Sequence, residues 1–233
     1  MHDLDVIYED NDLLVINKEA GLVVNTSNTS PTNTLQEQLA KIIEKSDEEE
    51  ENDFDQRSGI AHRLDKDTSG VLLIAKNKEA FLALQHQFKA RQVKKEYEAV
   101  VLGRIGESVI EIDAPIGRHP HVRTKFAIVA GGKDSVTRIE KIKEISAEGE
   151  TLTVVRVFPH TGRTHQIRVH LASFGHPIVG DEIYASTKQY FKWQPIFGRL
   201  MLHACKIEIL HPTTHQQMTF EAPLPELFLD LSR

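Results

Sequence analysis

Apolar residues fall along this chain in short bursts whose spacing predicts most of its elements. Val6-Ile7-Tyr8 and Leu13-Leu14-Val15-Ile16 flank the polar stretch Glu9-Asp10-Asn11-Asp12, the pattern of a β-hairpin. Leu22-Val23-Val24 is a further short run after Gly21. Thr34 and Glu37 have capping-box spacing, and behind them Leu35, Leu39, Ile42 and Ile43 share one helical face. Val71-Leu72-Leu73-Ile74-Ala75 is wholly apolar and of strand length, which predicts a strand covered on both faces. Asn77 then caps a helix carrying Ala80, Phe81, Leu84 and Phe88 at helical spacing. Residues 96–101 alternate, with Tyr97, Ala99 and Val101 on one side. Strands are expected at 108–112, 123–129, 134–140 and 151–157, with a turn at Gly131-Gly132. Residues 164–174 predict a helix closed by Gly175 at the C-cap position. Strands near 201–209 and 217–221 and a short helix complete the chain.

Strands outnumber helices and do not alternate with them. The expected class is therefore α+β, built on a large mixed, mainly antiparallel sheet with flanking helices. No proline- or glycine-rich linker and no internal repeat interrupts the pattern, so residues 1–233 are expected to form one domain. No apolar run approaches the roughly 20 residues of a membrane span. The first residues, Met1-His2-Asp3-Leu4-Asp5, do not resemble a signal peptide. Cys205 is the only cysteine, which excludes an internal disulfide or a multi-cysteine zinc site. Together these features predict a cytoplasmic protein.

Charge changes the picture only when it is mapped. The net charge of −6 and pI of about 6.1 argue against a nucleic-acid partner. Yet residues 56–206 carry 24 basic and 15 acidic groups, a net of +9. The acidity lies in residues 1–43, in the C-terminal residues 207–233 and in the run 44–55, which alone is −7. That run is expected to be a solvated, mobile loop.

Two stretches concentrate chemistry. His62-Arg63-Leu64-Asp65-Lys66-Asp67-Thr68-Ser69-Gly70 crowds charge directly before the apolar strand, where burial is costly unless charges are paired. His160-Thr161-Gly162-Arg163-Thr164-His165-Gln166-Ile167-Arg168 runs from a glycine turn into a helix start, where free N–H groups and the helix dipole favour anions. Taken alone, a polar loop and a solvated polar helix would account for them.

His62–Gly70 with the following strand resembles the signature of the RluA-type pseudouridine synthases, which convert uridine in RNA to its C5-linked isomer. LLVINKEAGLVV at 13–24, KKEYEAVVLG at 94–103 and PIGRHP at 115–120 agree in order and spacing. So do TGRTHQIRVHLASFGHPIVGD at 161–181 and RLMLHACKIEILHP at 199–212. The resemblance covers nearly the whole chain and implies the pseudouridine synthase fold with a central active-site cleft. It implies that Asp65 is the catalytic aspartate, Tyr97 the tyrosine over the target uracil, and Arg168 the arginine that pairs with the aspartate. Arg63 matches an arginine that holds the RNA open once the uridine has left the stack. His62, Arg118, Arg123, Lys125, Arg163, Thr164, His165 and Gln166 are the further candidates for RNA contact. The implied substrate is structured ribosomal or transfer RNA, with no membrane partner, and the expected state is a monomer. Glu19 and Asn25 stand where the family often has proline and histidine. The 44–55 run is outside the family pattern. No room precedes Val6 for the N-terminal S4-type RNA-binding domain of some relatives, so RNA capture is expected to rest on the catalytic domain.

The implied chemistry suits these residue types. A carboxylate can attack C1′ of the ribose or C6 of the ring, or assist a glycal-type intermediate. Tyr97 is the candidate base or stacking platform for loss of the C5 proton. The isomerisation involves neither redox change nor net hydrolysis, so no cofactor or metal is expected. Rival readings fare worse. His160, His165, His170 and His176 lack the i, i+4 spacing of a helical metal site. Asp65 and Asp67 as a glycosidase pair have no sugar platform beside them. A catalytically silent RNA binder would be marked by loss of Asp65, Tyr97 or Arg168.

Overall fold

The computed structural model describes residues 4–26, 32–44, 52–122 and 124–232. The chain divides into two compact units. One holds residues up to Lys94 together with Ala204–Pro223; the other holds Lys95–His203 and Leu224 onward. Of the three crossings between them, Lys94/Lys95 and His203/Ala204 fall inside strands, which is why composition shows no linker there. The class is α+β, as expected.

In the first unit, β1 (Val6–Glu9), β2 (Leu13–Lys18) and β3 (Ser69–Ala75) form an antiparallel meander, followed in sheet order by β10 (Leu202–Leu210). β11 (Gln217–Glu221) pairs antiparallel with β10. All seven residues of β3 are buried, as an unbroken apolar run requires. Asn77 caps α3 (Lys78–Lys89), whose Ala80, Phe81 and Leu84 are buried. Thr34 and Glu37 form the expected capping box, but α1 spans only Leu35–Leu39. Ile42 therefore leaves the helical face and is 57% exposed, while Leu35 and Leu39 are fully buried. α2 (Asp53–Arg57), capped by Asn52, was not expected, because it emerges from the acidic run. Residues 45–51, the bulk of that run, lie outside the described residues.

A polar clip fastens the β1–β2 turn to the β10–β11 turn. His211 Nε2 lies 2.9 Å from Asp10 Oδ2, and Thr213 Oγ1 donates to Asp12 Oδ2 at 2.6 Å. Burial pushes the Asp10 carboxyl up. The Tyr8 hydroxyl, the N–H groups of Leu13 and Asp12, and His211 outweigh it and bring the pKa to about 2.

The second unit has strand order β4 (Lys94–Leu102), β9 (Glu150–Pro159), β8 (Val136–Ala147) and β5 (Val109–Asp113), each pair antiparallel. β6 (Ile116–Arg118) and β7 (Phe126–Ile128) make a separate two-stranded hairpin. α4 (Gln166–Ser173), α5 (Thr187–Phe197) and α6 (Glu226–Ser232) complete the unit. Its core joins Val100, Val101, Val154 and Val155 of the sheet to Ile167 and Leu171 of α4 and Trp193 and Phe197 of α5. α4 starts two residues later than expected, and its C-cap is Phe174, with Gly175 one position beyond. α5 was not predicted, although Ser186 and Gln189 form a full capping box.

Candidate active site

Asp65 sits on a loop pinned from beneath. Leu64 is buried, Asp65 half-buried, and Arg63, Lys66 and Asp67 are exposed. The Thr68 N–H donates to the Asp65 carbonyl, closing a turn at 3.2 Å. The Lys66 carbonyl accepts from the Gly21 N–H at 2.9 Å and from Lys18 Nζ at 3.0 Å. Lys18 is 1% exposed, and its ammonium also donates to the carbonyls of Glu19 and Leu22. Three donors meet three carbonyls, so the charge is tolerated in the interior. At the end of the loop Gly70 has φ +116°, and a Cβ there would lie 2.1 Å from the Ala204 carbonyl oxygen. Only glycine fits that approach. The loop is thus fixed by backbone contacts at both ends.

His62 is half-buried. Its Nε2 accepts the Leu73 N–H at 2.9 Å, and its ring stacks on Phe88 with centroids 4.7 Å apart. This holds the loop to β3 and α3, a task the assignment to RNA contact did not foresee.

Tyr97 lies on β4 opposite Val157 of β9 and is half-buried. Lys95, two residues earlier and so on the same face of the strand, donates from Nζ to the Thr161 carbonyl at 2.9 Å. Burial lowers its pKa to about 8. A lysine with a folded pKa below its unfolded value binds its proton less well when folded, so stability rises as pH climbs from about 8 to 10.5. Urea unfolding at pH 7 and pH 10 checks this. The protein is expected to gain about 2 kcal/mol over that interval relative to Lys95→Met. Equal gains in both proteins would remove Lys95 as the source.

Thr161 and α4 build the rest of the second unit's site. Gln166 is buried, and both ends of its amide are engaged. Oε1 accepts from Thr161 Oγ1 at 2.7 Å and from the Arg163 N–H at 3.0 Å, while Nε2 donates to the Val136 carbonyl and Thr137 Oγ1. The relay continues from Thr137 Oγ1 to His170 Nδ1 at 2.9 Å and from His170 Nε2 to the Ala114 carbonyl at 3.0 Å. Because Nε2 faces a carbonyl, it carries a hydrogen. Desolvation lowers the His170 pKa. Gln166 therefore anchors the helix. Its amide is committed inside the unit, a task the assignment to RNA contact did not foresee.

Arg168 extends from α4 to Asp181. Nε lies 2.8 Å from Oδ2 and Nη2 2.9 Å from Oδ1, a two-point pair with side chains only 5% and 0% exposed. The same Oδ1 accepts the N–H groups of Ile183 and Tyr184. Asp181 is a partner of Arg168 that sequence reasoning missed, beside the pairing with Asp65 that the resemblance implies. Gly180, just before Asp181, has φ +76°, and a Cβ there would lie 2.0 Å from the Arg199 carbonyl.

A family model described as RNA pseudouridylate synthase matches residues 12–173, a span that contains Asp65, Tyr97 and Arg168. The chain belongs to this family. Among curated family members, the chain is 41% identical over 238 residues to "Ribosomal large subunit pseudouridine synthase D" of Pseudomonas aeruginosa, covering 97% of this chain and 70% of that protein. It is 40% identical over 226 residues to the protein of the same name from Nitrosomonas europaea, covering 96% of this chain and 62% of that one. The chain thus spans under two thirds of the Nitrosomonas protein. Among solved structures, Human RNA Pseudouridylate Synthase Domain Containing 1 superposes with a TM-score of 0.76 at 31% identity, covering 96% of this chain and 84% of that chain.

The remaining candidates for RNA contact are distributed as follows. Arg63, Arg118 and Thr164 are exposed, while Lys125, Arg163 and His165 are half-buried. Arg118 packs its guanidinium over Phe126 at 4.7 Å, and Arg163 Nε donates to the Asp134 carbonyl. Arg123 lies outside the described residues. Among the described residues, Asp10, Asp12 and His211 have the spacing of metal ligands. Their donor atoms are already used. His211 Nδ1 accepts the N–H groups of Thr213 and Thr214, which leaves its hydrogen on Nε2, facing Asp10. No described helix is long and apolar enough to cross a membrane.

Proposed function

We propose that this chain isomerises uridine to pseudouridine in structured RNA, with ribosomal RNA of the large subunit as the substrate class. The match of one family model across Asp65, Tyr97 and Arg168 carries this reading. The names of the curated relatives support the ribosomal substrate.

In this reading Asp65 is the carboxylate that attacks C1′ or C6, or that assists a glycal-type intermediate. The C1′–N1 bond breaks, the detached uracil turns, and a C1′–C5 bond forms. The proton on C5 leaves, and N1 regains one. Tyr97 stacks on the uracil and serves as the base for C5. Arg168, held in place by Asp181, supplies fixed positive charge. Chemistry on a base in structured RNA requires its extrusion, at a cost of a few kcal/mol. Arg63, exposed beside Asp65, holds the vacated position open.

The test is tritium release from ribosomal RNA labelled at uridine C5. Stoichiometric release at discrete sites supports the proposal. Tight RNA binding without release would make the chain an RNA binder and overturn it. Binding is also expected to weaken with salt. Four phosphate contacts, from Arg63, Arg118, Lys125 and Arg163, give a slope near −3 on a log–log plot, or ~50-fold between 50 and 200 mM salt. Filter binding across that range checks this, and a flat profile would remove those residues from the interface.

A further inference from the structure

We infer that Tyr184 is a positioning residue that ties the β6–β7 hairpin to Arg168, so that one side chain sets both the hairpin's hold on RNA and the seat of the guanidinium. The inference rests on the proposed placement of Arg168 at the active site and of Arg118 at the RNA surface.

The hydroxyl of Tyr184 accepts the N–H of Phe126, in β7, at 3.0 Å. It also lies 2.8 Å from His165 Nδ1. Its ring lies beneath the Arg168 guanidinium, whose Cζ is 5.2 Å from the ring centroid. Its backbone N–H donates to Asp181 Oδ1, on the carboxylate that grips Arg168. On the hairpin side, Phe126 meets the edge of the His165 ring at 5.6 Å and carries the Arg118 guanidinium at 4.7 Å. A continuous path of contacts thus runs from an exposed cation on β6 to a buried cation on α4, and Tyr184 is where the two halves meet.

Two further observations say that the junction is more than packing. His165 holds φ 56°, in the left-handed region that favours glycine, and makes no side-chain cap to the helix it precedes. A non-glycine residue there stores strain of the kind found at functional sites, and its contact with Tyr184 supports that conformation. Phe126 is the first residue of β7, so its N–H is where the hairpin's returning strand is fixed.

The test separates hydroxyl from ring. Tyr184→Phe keeps the ring beneath Arg168 but frees the hairpin. It is expected to raise KM for RNA about fivefold, the scale of one lost hydrogen bond, with kcat within about twofold. Tyr184→Leu loses the ring as well, and kcat falls at least about tenfold. A merely structural tyrosine would move the thermal midpoint without this KM-against-kcat split. A double-mutant cycle adds the second readout. Arg118→Gln raises KM in the parent but adds little on top of Tyr184→Phe, because the hairpin is already loose. Unchanged KM in Tyr184→Phe, or full additivity with Arg118→Gln, overturns the inference. Arg168→Lys distinguishes the two levels. If it folds and turns over at the parent rate, the placement of Arg168 fails whatever Tyr184 does. If it loses kcat while Tyr184→Phe keeps the parent KM, the inference about Tyr184 alone fails.

Discussion

Asp65→Asn is expected to abolish tritium release from C5-labelled RNA, by about 10³-fold or more, while RNA binding persists. An amide cannot act as the attacking carboxylate, yet it nearly matches the aspartate in volume. The loop is expected to survive the change because it has backbone anchors besides the Asp65 side chain. Leu64 is buried beneath it, the Thr68 N–H closes the turn on the Asp65 carbonyl, and Lys18 and Gly21 hold the Lys66 carbonyl. The check is a single-turnover assay beside a thermal melt. A folded Asp65→Asn protein that releases tritium at the parent rate would sink the proposed role of Asp65.

The largest effect on stability is expected at Arg168. Arg168→Met leaves Asp181, fully buried, without its cation. Breaking a buried pair from one side costs about 3–5 kcal/mol, because a charge is left uncompensated. In a chain of this length that corresponds to a drop of roughly 10–15 °C in thermal midpoint. The pair also seats the guanidinium proposed for catalysis, so activity should fall with stability. The double variant Arg168→Met/Asp181→Leu separates the two effects. Removing both charges recovers part of the stability, since a buried ion pair is often replaceable by apolar packing. Recovery stays incomplete, because Asp181 also accepts the N–H groups of Ile183 and Tyr184. Activity does not recover. Restored turnover in the double variant would assign Arg168 to the fold alone.

Local pattern and tertiary pairing divide what could be read from the chain. The β1–β2 hairpin, the buried β3 and the caps at Thr34 and Asn77 follow from apolar spacing and hydrogen-bonding side chains within a few residues. α5 was hidden by Pro195, which reads as a helix end but sits in the final turn, where little helix remains to disrupt. Ser186 and Gln189 signalled its start. The apolar face of α1 was overextended because its pattern continues past Leu39, where the helix stops.

The site divides the same way. Asp65, Tyr97 and Arg168 became candidates through resemblance, since a charged loop and a polar helix start are common in any protein. Gln166 looked like an RNA ligand because a polar residue at a helix start usually faces solvent. Its burial is visible only once Thr161, Val136 and Thr137 are brought around it. Asp181 and Tyr184 needed the return of the chain beneath α4 to show their purpose. No local spacing encodes a carboxylate 13 residues from its arginine.

The discontinuous first unit has a consequence for synthesis. β3 is flanked by β10, yet β10 leaves the ribosome only after Lys95–His203 have been made. At about 5–20 residues per second, that delay is on the order of 5–20 s. Through it, β3 presents an apolar edge with its backbone groups unpaired on that side, the kind of template that recruits other nascent chains. The clip between Asp10 and His211, 201 residues apart, can close only at the end of that interval.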